Sequence, residues 1–347
     1  MVCPELSCGE ENLRYPDQWE GSGGCPKIVK IAGSSLPRFL RDRGLLMPIV
    51  ISKEIPAYSA LQSENIFVMN SERAFTQDIR PLEIAILNLM PTKIETETQL
   101  LRLLSNSPLQ VNITLVYTES YKSKNTAAAH LERFYKKFDD IKDKHFDGMI
   151  ITGAPVEVMP FEEVAYWKEL TKIFDFADSN VTSTIYICWG AQAALYYHYG
   201  IEKHLLPKKL FGIFPHRKNI DLHDPLLKGI DDVFYIPHSR HTTVNVEDVA
   251  REPRLQILSV SDEAGLSIAK SRDNKKIFLT GHMEYDRDTL KTEFERDVAK
   301  GLPIDPPAHY FTDSSCTKVR VTWTSAANLF YTNWLNYYVY QVTPFKF

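Results

Sequence analysis

The run Ser183-Thr184-Ile185-Tyr186-Ile187-Cys188-Trp189-Gly190-Ala191-Gln192-Ala193-Ala194-Leu195 leaves few folds open to this chain. Its first half is β-branched and aromatic, which suits a buried strand. Its second half is rich in Ala and Leu, which suits a helix. A cysteine stands at the seam, with a glycine two residues on. That layout predicts a nucleophile elbow: strand, tight turn and helix, with the reactive side chain lifted above the sheet. A sulfur there sits at a helix N-terminus, where backbone N–H groups and the helix dipole favour negative charge. On this stretch alone, an inert buried cysteine at an ordinary strand–helix join is an equal competitor.

The flanking sequence alternates in the way such an elbow requires. Leu82 to Leu89 reads as a strand, and Thr92 and Glu95 have capping-box spacing ahead of a helix carrying Leu100, Leu103 and Leu104. Val111 to Tyr117 reads as a second strand, and Asn125 to Phe138 as a surface helix with Leu131, Phe134 and Tyr135 on one side. Phe146 to Ile151 is a hydrophobic strand running into the small-residue turn Gly153-Ala154-Pro155. Beyond the elbow, a mixed segment containing Lys208 to Gly212 reaches Asp232, and a strand near Val233–Ile236 ends in Pro237-His238-Ser239-Arg240-His241. Strands are predicted over 255–260 and 266–270, and Lys276 to Thr280 leads into Gly281-His282-Met283-Glu284. A helix from Thr289 to Lys300 is stopped by Gly301 and Pro303. The aromatics of Asn328 to Tyr340 fall at helical spacing and are expected in the core. The whole pattern predicts an α/β fold: an open, mostly parallel sheet with helices on both faces.

Composition narrows the function classes. With 44 % hydrophobic residues in 347, a large core is expected. A net charge of −4 without a basic stripe speaks against nucleic acid. No apolar run approaches bilayer length, so no membrane partner is expected. Cys3, Cys8 and Cys25 crowd the start, leaving Cys188 and Cys316 elsewhere. Their spacings match no zinc pattern, and a disulfide framework would be out of place in so large a chain, so no metal and a reducing, cytoplasmic compartment are expected. Residues 1–46 include the flexible run Glu20 to Pro26 and show neither apolar periodicity nor a signal peptide. They read as a disordered N-terminal extension, with Met47 a candidate start of the regular sequence and 47–347 a single domain.

Strand ends are where an open α/β sheet builds its site. Three of them here end in Gly153-Ala154-Pro155, Cys188-Trp189-Gly190 and Gly281-His282-Met283-Glu284. Together they offer a nucleophile, a histidine to exchange its proton and a carboxylate to orient the ring. The N–H groups of Trp189 and of the Gly153–Ala154 turn are candidate oxyanion donors. Each feature is weak alone; the order along the chain is what makes them a set.

These residues resemble the homoserine O-acyltransferases, the homoserine transsuccinylase family, relatives of class I glutamine amidotransferases. The segments that carry the resemblance are Leu87 to Pro91, Leu101 to Gln110, Thr152 to Pro155, Ile187 to Trp189, Pro237 to Arg240, Thr280 to Asp286 and Phe330 to Tyr340. It spans Met47 to about Phe345. The resemblance implies a glutamine-amidotransferase-like (flavodoxin-like) sheet with additional terminal elements. It implies that Cys188 takes an acyl group from acyl-CoA as a thioester, that His282 is the general base, and that Glu284 orients His282 or helps bind substrate. Lys209, Ser239 and Arg296 match positions that bind substrate, Arg296 facing the homoserine carboxylate. The implied partners are L-homoserine and acyl-CoA, with no permanently bound cofactor and a homodimer as the assembly. The sequence does not locate the adenine half of the coenzyme; Lys93 and nearby residues are candidates.

One position bears on the acyl donor. Glu157 falls where the family's succinyl users carry a small residue, typically glycine. A carboxylate in the acyl pocket would repel the distal carboxylate of succinyl-CoA, so the expectation is acetyl transfer from acetyl-CoA, with succinyl transfer the alternative and a glutaminase a distant one. Tyr186 stands where amidotransferases usually have a small residue, which speaks against a glutamine pocket of their type.

Overall fold

Successive residues of the central strands are buried against different layers. A computed structural model describes residues 49–64, 68, 80–120 and 128–343, all within the unit Leu46–Phe347. The extension expected over 1–46, with Cys3, Cys8 and Cys25, lies outside the described residues. The strands are β1 (Ile49–Val50), β2 (Leu82–Leu87), β3 (Val111–Tyr117), β4 (Tyr135–Lys137), β5 (Phe146–Ile151) and β6 (Val181–Ile187). They continue as β7 (His204–Lys218), β8 (Val233–Thr243), β9 (Leu255–Ser261), β10 (Gly265–Ser271) and β11 (Lys276–Leu279). The helices are α1 (Pro56–Ser63), α2 (Lys93–Leu104), α3 (Ala128–Phe134), α4 (Trp167–Asn180), α5 (Trp189–Tyr199), α6 (Val246–Arg251), α7 (Thr289–Ala299) and α8 (Thr324–Asn333). A π-helical segment, Trp334–Tyr340, continues α8.

The strands form one sheet in the order β1-β3-β2-β5-β6-β11-β10-β9-β7-β8, with β4 also on β3. From β1 to β11 every pairing is parallel; from β11 to β8 every pairing is antiparallel. The expected parallel sheet is therefore its site-bearing half. Ile84, Ile86, Ile150, Ile185 and Ile187 pack with α1, α2 and the C-terminal helix in one core. Ala85, Leu87, Met149, Ile151 and Tyr186 pack with α4 and α5 in the other. The strand period of two sends neighbouring side chains to opposite faces, which is why both layers must be apolar.

The C-terminal aromatics are core, as their spacing suggests. Phe330, Tyr331, Trp334 and Tyr338 are buried. The Trp334 indole N–H donates to Ser183 Oγ at 3.0 Å, while its ring covers Gly148, where an added Cβ would come within 2.8 Å of it.

Four local expectations are corrected. The helix expected over 125–138 is described only as Ala128–Phe134; Tyr135–Lys137 instead pairs with β3, because Tyr135 is buried with its hydroxyl donating to Glu97 at 2.5 Å. The strand near Val233–Ile236 runs on to Thr243 through Pro237, tolerated in a terminal strand of the sheet, where a missing N–H is cheap. The mixed segment before Asp232 contains the long strand β7, whose register shifts between Leu205 and Leu210 around Pro207. Thr92 precedes α2, but its side chain makes no capping hydrogen bond.

Helix α5 crosses β5 at a backbone contact. A Cβ on Gly190 would stand 2.6 Å from the Thr152 carbonyl oxygen and 3.1 Å from that of Ile151. Gly190→Ala should therefore lower unfolding stability by about 1–3 kcal/mol, read as a fall in the urea midpoint. A second expectation concerns acid. Burial, with the Arg240 charge adding to it, pushes His216 down to about 3, and His238 is also held well below the ordinary histidine range, by burial first. An unfolded histidine titrates near ~6.5, so between these values only the unfolded chain takes up the proton. Stability should be full above pH ~6.5 and decline on acidification by about 1.4 kcal/mol per unit per histidine. Urea midpoints at pH 7 and pH 5 measure it, and a flat profile would contradict it.

Candidate active site

Cys188 occupies a backbone conformation that few residues other than glycine adopt, with φ 50° and ψ −115°. Such strain persists only where the surroundings impose it. Here the Cys188 N–H donates to the Leu279 carbonyl of β11 at 2.7 Å. Its own carbonyl accepts from Ala191 at 3.0 Å and Gln192 at 3.2 Å, starting α5. The turn predicted from the sequence is thus clamped from both sides, and the buried cysteine is its apex.

Gly153 lies directly beneath that apex. A Cβ there would be 3.2 Å from Cys188 Cβ and 3.6 Å from His282 Cε1, so three strand ends converge on one point. The His282 N–H donates to the Pro237 carbonyl at 2.8 Å, anchoring the segment after β11 to β8. Its Nδ1 lies 2.6 Å from Oε1 of Glu284, and Tyr285 stacks on the ring at a centroid separation of 4.2 Å. With Nδ1 occupied, Nε2 is the nitrogen left for Cys188, whose sulfur acts on the ring both as hydrogen-bond partner and as charge. Burial alone would lower the proton affinity of His282. The Cys188 sulfur and the Glu284 carboxylate outweigh it and hold the imidazole well above its ordinary range. A cysteine sulfur beside an imidazole that a carboxylate orients can attack an activated carbonyl and pass a proton through the ring.

Candidate oxyanion donors adjoin the cysteine. The N–H groups of Trp189 and Gly190 begin α5 and have no acceptor within the helix. Those of Gly153 and Ala154 donate to no protein acceptor among the described residues.

A second cluster adjoins the first through Tyr285. Its hydroxyl donates to Glu293 at 2.9 Å, and the other oxygen of Glu293 accepts from Ser239 Oγ at 2.5 Å. Lys209 Nζ lies 3.2 Å from Asp297 and 3.6 Å from Glu293, and 4.2 Å above the Phe211 ring. Arg296 is half-exposed and pairs through Nε with Asp297 at 2.8 Å. Lys209, Ser239 and Arg296, scattered over 88 positions of sequence, therefore meet around one face of α7. Sequence reasoning missed Tyr285, Glu293 and Asp297. The four-residue spacing of Glu293 and Asp297 on a predicted helix was the available signal.

Glu157 lies just beyond the Gly153–Ala154 turn. Its Oε2 accepts from the backbone N–H of His241 at 2.6 Å and of Thr242 at 3.3 Å. Lys93, by contrast, is buried, its ammonium donating to the carbonyls of Asn88 and Met90, and is not placed to meet a coenzyme at the surface. Tyr186 is fully buried and stacked on Phe278 at 5.5 Å.

The sequence model of the homoserine O-succinyltransferase family matches residues 48–345. A protein of Geobacillus sp. (strain WCH70) named homoserine O-acetyltransferase is 60 % identical over 304 residues, covering 86 % of this chain and 99 % of its own. One of Clostridium novyi (strain NT) with the same name is 58 % identical over 301 residues, with the same coverage. Among solved structures, a glutamine amidotransferase from Thermotoga maritima is 11 % identical with a TM-score of 0.45, covering 74 % of this chain and 97 % of that one. Matched along nearly all of its described length, the chain belongs to the homoserine O-succinyltransferase family of acyltransferases.

Proposed function

We propose that this chain transfers the acetyl group of acetyl-CoA to the hydroxyl of L-homoserine through a thioester on Cys188, giving O-acetyl-L-homoserine for methionine synthesis. The observation that carries the mechanism is the convergence of Cys188, His282 and the Gly153 backbone, with Glu284 on Nδ1 of the ring. In the first half-reaction the Cys188 sulfur attacks the thioester carbonyl. The N–H groups of Trp189, Gly153 and Ala154 hold the oxyanion, and coenzyme A leaves as a thiol with the proton from His282. In the second, His282 takes the proton of the homoserine hydroxyl, whose oxygen attacks acetyl-Cys188. The tetrahedral intermediate collapses to the ester and the cysteine sulfur is released. Thioester for thioester, then thioester for ester, neither half-reaction requires an external energy source. Arg296 and Lys209 would exchange their present carboxylate partners for the homoserine carboxylate, and Glu293 and Ser239 would receive its amine.

Acetyl over succinyl follows from Glu157 and from the acetyltransferase names of relatives at 58–60 % identity. A carboxylate fixed by two backbone N–H groups is a standing negative charge. A second carboxylate ~4 Å away would be disfavoured by about 1–4 kcal/mol, a preference of roughly 10- to 1000-fold. The reaction is placed in the cytoplasm, and a homodimer is the proposed assembly.

Cys188→Ala should abolish turnover by at least about 10⁴-fold with an unchanged denaturation profile, whereas the parent enzyme incubated with acetyl-CoA alone should yield an acetylated Cys188 peptide in the mass spectrum. Near-normal turnover in the variant would exclude the covalent route. Glu157→Gly should raise kcat/KM for succinyl-CoA about 10- to 1000-fold while leaving that for acetyl-CoA within about tenfold. Equal rates with both donors in the parent enzyme would remove Glu157 as selector.

A further inference from the structure

Arg240 is a buried cation without a carboxylate in contact: only 1 % of it is exposed, and no ion pair to it forms among the described residues. Its guanidinium donates instead to the carbonyls of Thr242 at 2.7 Å and Ala264 at 2.6 Å, and through Nε to Nδ1 of His238 at 3.3 Å. Since His238 accepts at Nδ1, its proton is on Nε2, from which it donates to Nε2 of His216 at 3.1 Å. Burial keeps both rings neutral, so the relay is compatible with the adjacent guanidinium.

Thr242 is the point where this cation meets the elbow. Its carbonyl accepts from Arg240 and from Gln192 Nε2 at 3.1 Å, and its hydroxyl donates back to Gln192 Oε1 at 2.7 Å. Gln192 is on α5, one turn beyond Cys188. The N–H of Thr242, with that of His241, holds the Glu157 carboxylate. Burial disfavours the charge on Arg240, and the Cys188 sulfur and the Glu157 carboxylate both favour it.

We propose that Arg240 and Gln192 are positioning residues for acyl-donor selection, holding Thr242 so that the 241–242 backbone fixes the Glu157 carboxylate in register with Cys188. The inference rests on the reading of Glu157 as the donor selector. Among the described residues no side chain donates to the Glu157 carboxylate; two N–H groups of β8 set its direction, and β8 is tied to the helix of Cys188 by Gln192 and stiffened by Arg240. Loosening either tie frees the carboxylate to swing away, and the site then admits a charged acyl group.

The test measures kcat/KM with acetyl-CoA and succinyl-CoA for Gln192→Met, Arg240→Met and Glu157→Gly, and for Gln192→Met combined with Glu157→Gly. Gln192→Met should lower the acetyl-to-succinyl ratio by about tenfold or more while acetyl transfer stays within about threefold. In the Glu157→Gly background the same change should leave the ratio where it is, because the group being positioned is gone. A parallel fall of both rates, or an unchanged ratio in Gln192→Met, would overturn the proposal even where Glu157→Gly relaxes selectivity. An unchanged ratio in Glu157→Gly itself would instead sink the selector reading. Should Arg240→Met fail to fold, because two carbonyls lose their donor, the Gln192 arm decides.

Discussion

Three polypeptide segments approach one another closely at Cys188. A Cβ on Gly153 would press on the cysteine at 3.2 Å, and Gly190 has no room for one over the Thr152 carbonyl. That pair of contacts brings β5 and α5 together and holds the cysteine at φ 50°. The hydrogen bond from the Cys188 N–H to Leu279 then fixes where β11 ends, and so where His282 begins. Every other feature of the site inherits its position from this crossing.

Around it, charge is arranged by depth. His282 and Glu284 are buried as a bonded pair, and the Cys188 sulfur and the Glu284 carboxylate more than offset the desolvation that would otherwise strip the ring of its proton. Arg240 is equally buried, but its positive charge is spread over carbonyl dipoles and a neutral histidine relay. Nearer the surface, Lys209 and Arg296 are paired with Glu293 and Asp297, and Asp297 stays below the usual carboxylate range despite its burial because both cations lean on it. Exchangeable pairs of this kind suit a zwitterionic ligand, since each partner can be released to a ligand group of the opposite charge. The stack of Tyr285 on His282, with its hydroxyl on Glu293, joins this polar cluster to the Cys188–His282 pair.

Local chemistry made much of the architecture readable in the chain. The β-branched run before Cys188 and the Ala-rich run after it dictate strand then helix, and the glycine two residues on permits the close crossing. Small residues at 153–154 and the His-x-Glu pattern after β11 could each be recognised as strand-end features. Where local preference met a tertiary partner, it lost: Tyr135 left the predicted helix to bury its ring and bond Glu97, and 204–218 became a strand because β8 and β9 offered it an edge despite two prolines. The capping spacing of Thr92 and Glu95 produced no cap.

The sequence by itself determined the elbow, the strand–helix alternation behind the parallel half of the sheet, and which residues stand as candidate reacting groups, because each of those signals is carried by neighbouring residues. Only the tertiary structure decided that Lys209, Ser239 and Arg296 meet on one helix, that Lys93 turns inward, and that Glu157 takes its direction from β8 through Arg240, Thr242 and Gln192. Those contacts join residues up to 88 positions apart, and the chain carries no local energetic signal for a partner that only folding brings near.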